Sequence, residues 1–132
     1  MSRFVATNRV NLPVLIVCLS ALLIAADYPA VYLEAGLPTY PDAKVIDVGR
    51  QTRSLRDGIR LQLETKDNPK KVAEYFERTL KASGWKIPKR PVKTMQLALL
   101  GATKGKMYLT VQAMKVPSQN KTRIMVNVIQ KL

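Results

Sequence analysis

Apolar and polar positions change their spacing several times along this chain, and each change marks an element. Between Lys66 and Trp85 the spacing is helical: Val72, Phe76 and Leu80 recur every fourth residue, with Ala73 and Tyr75 beside them. Asn68 followed by Pro69 supplies a side-chain cap and a first helical residue whose missing N–H costs nothing. Gly84 supplies the left-handed residue that ends the helix. The stripe needs a surface to lie on, because burying Val72, Phe76 and Leu80 stabilises by roughly 1.5–3 kcal/mol each, whereas a lone helix of this length is marginal in water.

Elsewhere the spacing falls to two. Ile59, Leu61 and Leu63 alternate with Arg60, Gln62 and Glu64; Met107, Leu109, Val111 and Ala113 alternate with Tyr108, Thr110 and Gln112; Ile124, Val126 and Val128 oppose Met125, Asn127 and Ile129. Strands are predicted over 44–49, 58–65, 94–101, 106–116 and 122–130, with turns at Thr103-Lys104-Gly105 and Pro117-Ser118-Gln119-Asn120. The order is β-β-α-β-β-β, an α+β fold with one helix packed on a mixed, mostly antiparallel sheet of about five strands. Helix and following strand form a crossover in which the strand from Thr94 starts where the helix finishes. One helix covers one face, so the other, bearing Arg60, Gln62, Thr110, Gln112 and Asn127, should meet water or a partner.

The first 26 residues break both periods. Two arginines, Arg3 and Arg9, precede an uncharged run from Val10 to Ala26 whose apolar members include Leu12, Val14, Leu15, Ile16, Val17, Leu19, Leu22, Leu23 and Ile24. These 17 residues reach about 25 Å as a helix, between a membrane span and the apolar part of a cleaved leader. The expectation is an N-terminal apolar helix that spans a bacterial inner membrane once, with the N-terminus in the cytoplasm and the rest periplasmic; the alternative is a periplasmic protein freed by leader cleavage. Three prolines and a glycine within 27–43 predict a linker, leaving 44–132 as the folded domain, although Val31, Tyr32 and Leu33 are apolar for a solvated stretch.

Charge changes the picture in one half only. Residues 27–77 hold eight basic and nine acidic side chains, whereas 78–132 hold twelve basic and none acidic. The topology expected above collects Lys89, Arg90, Lys93, Lys115, Lys121 and Arg123 on one rim as a candidate site for an anionic partner, with Lys104, Lys106 and Lys131 at the opposite end. The RQTRSLRDG turn with Arg50, Arg53 and Arg56 is expected to be a solvated loop. There is no histidine, and the single cysteine, Cys18, lies in the apolar run. The usual nucleophiles, proton shuttles and metal-ligand sets are therefore missing, and no enzyme activity, cofactor or metal is expected. Met95, Met107, Met114 and Met125 are expected to fill the core.

Tyr40-Pro41-Asp42-Ala43-Lys44, Thr65-x-Asp67-Asn68-Pro69, Val72-x-x-Tyr75-Phe76 and Leu80-x-x-x-Gly84-Trp85 together resemble a pattern of small exported bacterial α+β domains of unknown function, many of them regarded as lipoproteins. The resemblance covers about residues 38–85. It implies a helix on an antiparallel sheet outside the cytoplasm and carries no catalytic residue. Function is thus expected to be non-catalytic: an accessory or stabilising subunit of a membrane complex, with partner subunits that present an acidic surface and the bilayer meeting the N-terminal helix. The alternative is a secreted or periplasmic domain that binds an anionic polymer such as envelope polysaccharide, lipopolysaccharide or DNA. Tyr108 could stack a base, but an exported location argues against nucleic acid.

Overall fold

The computed structural model describes residues 28–49 and 58–131. Alternation builds the sheet as expected for most of it. Strand β1 (Lys44–Gly49) pairs with β2 (Ile59–Thr65), whose Ile59, Leu61, Leu63 and Thr65 are buried while the residues between them are not. A bulge between Val45 and Asp47 bends β1 and leaves Ile46 outside. The helix, α2 (Pro69–Ala82), is capped by Asn68, whose Oδ1 accepts from the Lys71 N–H at 2.8 Å. It closes with Gly84 at φ +87°, and the N–H groups of Trp85 and Gly84 bond back to Leu80 and Lys81. Val72, Ala73, Phe76 and Leu80 face the sheet and are buried.

The sheet has six strands, not about five, and all its pairings are antiparallel, not mixed. After the helix comes a two-residue strand, β3 (Val92–Lys93), then β4 (Leu97–Lys104), β5 (Met107–Val116) and β6 (Lys121–Gln130), in the spatial order β1-β2-β6-β5-β4-β3. The expected crossover fails because β3 runs back along β4: Lys86 bridges Thr103, Val92 stands opposite Leu99, and a tight turn from Thr94 to Leu97 reverses the chain. The strand from Leu97 therefore begins at the end where α2 starts. Two residues behind Pro88 and Pro91 carry no alternation, which is why the extra strand leaves no mark in the sequence.

Residues 28–43, expected as a linker, contribute to the core. A short helix, α1 (Ala30–Glu34), and the chain after it place Tyr28, Tyr32, Leu37 and Tyr40 among the buried residues. Tyr40 donates to Asp67 Oδ2 at 2.6 Å and lies 5.8 Å from the Phe76 ring, while Tyr75 donates to the Thr39 carbonyl at 3.0 Å. Packing on the domain is thus the fate of Tyr32 and its neighbours.

The single-span membrane placement is corrected. Among the described residues no helix is long and apolar enough to cross a membrane. The apolar segment on which the span was placed, Leu12, Val14, Leu15, Ile16, Val17, Leu19, Leu22, Leu23 and Ile24, lies outside them, as does the Arg50–Arg56 turn.

Candidate binding surface

Because β-strand side chains alternate, the face of the sheet away from α2 can be read as rows across neighbouring strands. At the end where α2 starts, the row is Leu97, Met114, Arg123, Glu64 and Lys44. Next come Val92, Leu99, Gln112, Met125 and Gln62, then Gly101, Thr110, Asn127 and Arg60, then Thr103, Tyr108 and Ile129. Val92, Leu99, Tyr108, Met114 and Ile129 stand at 39–49% exposure, high for large apolar side chains on a sheet. The methionines expected in the core are distributed otherwise: Met114 and Met125 lie on this face, Met95 sits exposed in the turn before β4, and Met107 alone of the four packs on the core.

A groove of about 510 Å³ runs along this face between β4, β5 and the Pro88–Val92 segment. Leu99, Gly101, Thr110 and Asn127 form its floor, Tyr108 and Val92 its apolar sides, and Lys89 and Arg90 its rim. The floor holds a fixed polar group, since Arg60 Nε donates to Asn127 Oδ1 at 3.2 Å. That bond leaves the Asn127 amide N–H groups as donors.

The six cations read from the sequence divide. Lys93 turns to the helix side and donates to Glu77 Oε1 at 2.5 Å, with Lys81 3.6 Å from the same carboxylate. Lys121 and Arg123 meet Glu64 at 2.9 and 4.0 Å. The hydrogen bond from Lys121, with Arg123 and Lys44 nearby, holds the Glu64 carboxyl below the usual carboxylate range; Lys93 does the same for Glu77. Lys115 is exposed at the same end, beside Thr122 of β6. Lys89 and Arg90 are exposed on the groove, and no carboxylate pairs with either among the described residues. Lys104, Lys106 and Lys131 lie at the other end, where Lys104 Nζ caps the Ser83 carbonyl at 2.7 Å. Sequence reasoning found Arg60, Tyr108, Thr110, Gln112 and Asn127 through alternation but missed Leu99, Gly101 and Val92. No local signal marked them, because Leu99 and Gly101 lie in the run 97–102, which has no polar alternation, and Val92 stands in a strand of two residues.

A second cavity, about 480 Å³, is lined by Asp42, Lys44, Glu64, Thr65, Lys66, Asp67 and Lys121 at the start of α2. Its charges are largely engaged: Glu64 by Lys121, and Asp67 by Tyr40 and, at 3.4 Å, by Lys71. No set of three metal-type ligands exists among the described residues.

One long helix laid over an antiparallel sheet is the arrangement on which family comparison bears. A family model described as START domain-like matches residues 45–122, more than half of the chain. The chain belongs to the START domain-like family. The match spans β1 to the start of β6 and so covers both α2 and the groove. It agrees with a small-domain family and does not extend to the lipoprotein character of the domains that the sequence resembles. Comparison with curated proteins and with solved structures gives no significant match. In this START domain-like chain Phe76, Leu80, Leu61, Leu109 and Val126 are fully buried between helix and sheet, and both cavities described above lie elsewhere.

Proposed function

We propose that this protein is a non-catalytic binding domain that holds an acidic partner against the helix-free face of its sheet. The observation that carries this is the groove at which exposed Leu99, Tyr108 and Val92 adjoin Lys89 and Arg90, two cations without carboxylate partners among the described residues. Apolar contact supplies affinity, and the charges select the sign of the ligand. The twelve basic and no acidic residues of 78–132 give this half of the chain a strong positive bias, which raises the rate of encounter with anions.

Fluorescence anisotropy of labelled poly-L-glutamate tests the reading. Binding at low ionic strength should weaken steeply as salt is added. It should fall about tenfold in a Lys89→Gln/Arg90→Gln variant, the equivalent of about 1.4 kcal/mol, and stay unchanged in Lys106→Gln/Lys131→Gln at the opposite end. Equal losses in the two variants would reduce the effect to overall charge and remove the site.

A further inference from the structure

The groove contains a break in the edge of the sheet. In an antiparallel ladder, alternate residues of a strand turn their N–H and C=O groups to the same side. Thr103 exchanges both backbone bonds with Lys86 at 2.8 Å, and the Leu97 carbonyl accepts from Thr94 at 3.0 Å, so Leu99 and Gly101, which lie between them at two-residue steps, address the same edge. Leu99 has Val92 opposite it. Gly101 has no strand residue there, because pairing jumps from Val92 to Lys86 and the five residues Ile87–Pro91 span what three residues span in β4. The segment bows outward, and two of its five members, Pro88 and Pro91, carry no N–H. Gly101 thus lines the groove with a backbone donor and acceptor and carries no side chain of its own. A Cβ there would stand 3.5 Å from the Tyr108 hydroxyl, ordinary contact, so packing within the fold does not require glycine at this position.

We infer that this break is the docking point for a short extended segment of an acidic partner protein. The inference rests on the binding role proposed above and names its mode. One residue of the segment exchanges hydrogen bonds with the Gly101 N–H and C=O, in the single gap that the ladder leaves between Val92 and Lys86. One of its apolar side chains lies against Leu99 and Tyr108, and its carboxylates meet Lys89 and Arg90. Three features favour this occupant. The Gly101 N–H and C=O, without a strand partner, ask for a peptide backbone, the absence of a side chain on Gly101 lets one approach, and a rim with no carboxylate partner among the described residues asks for negative charge.

The test uses an acetylated, amidated octapeptide of alternating aspartate and leucine, titrated into the full chain by calorimetry and by amide-resolved NMR. Three comparisons accompany it: a lysine-for-aspartate peptide, a peptide N-methylated at alternate residues, and the Gly101→Val variant. The expected result is amide shifts centred on Gly101 and on Lys89 and Arg90 across the groove, with at least tenfold weaker binding for each comparison. Gly101→Ala, which should keep the wild-type thermal midpoint, serves as a second variant with a smaller loss. An N-methylated peptide that binds as tightly as its parent would overturn the backbone pairing, as would shifts centred on β1, the opposite edge. If poly-L-glutamate still binds in a Lys89- and Arg90-dependent way while the octapeptide behaves so, the broader reading stands and this docking mode fails; if neither ligand binds, both fail.

Discussion

The two faces of this sheet are built from the same strands and alternate residue by residue, yet they differ in what they tolerate. On the helix side Leu61, Leu109, Ile124 and Val126 are packed beneath Phe76 and Leu80 with almost no exposure. On the other side, one position away along each strand, stand Tyr108, Met114, Arg60 and Ile129, open to solvent. The covered face is where stability resides, since removing a buried atom costs both its transfer energy and the void it leaves. The open face has few contacts to lose, so its side chains are freer to vary, and Met114 and Met125 on it are flexible and polarisable.

This contrast can be broken most severely at the helix. Phe76→Ala should lower unfolding stability by about 3–5 kcal/mol in urea titrations, whereas Leu99→Ser on the open face should stay within about 0.5 kcal/mol of wild type. A smaller effect is expected at the aromatic cap on α2. Burial, and for Tyr40 also its hydrogen bond to Asp67, raises the Tyr32 and Tyr40 hydroxyls well above their ordinary value. A raised value means that the neutral form is favoured in the folded state, so this stability is whole below about pH 10 and is lost as pH rises beyond it. Thermal midpoints measured from pH 8 to 11 should fall at the alkaline end, and Tyr40→Phe should flatten part of that fall. Asn68→Ala, which removes the helix cap, should cost about 1 kcal/mol.

The smallest effects concern half-buried charge. Glu64 and Glu77 have lowered values, so what their ion pairs contribute is present above pH 4.5 and declines as pH falls through the folded-state value. Glu77→Gln should therefore shrink the acid-side slope of stability slightly, and added salt should mask the change. An unaltered slope at low salt would show that the Lys93 pair is structural decoration on an already fixed strand.

Much of this was legible along the chain. The helix with its Asn68 cap and Gly84 stop, the strands from Ile59, Met107 and Thr122, and the division of the sheet into covered and open faces all follow from local periodicity, because a repeat of two or of 3.6 residues records which side of an element meets the core. The candidate site was half visible: Arg60, Tyr108, Thr110, Gln112 and Asn127 were placed on the open face by alternation, and Lys89 and Arg90 were marked by charge. Three things were decided only in the folded molecule: the backward run of Val92–Lys93, the inclusion of Tyr28–Tyr40 in the core, and the separation of Lys93, Lys121 and Arg123, which meet acids, from Lys89 and Arg90, which meet none among the described residues. Each depends on contacts between residues distant in sequence, such as Lys86 with Thr103 or Tyr40 with Asp67, and no local pattern records a pairing whose partner lies elsewhere in the chain.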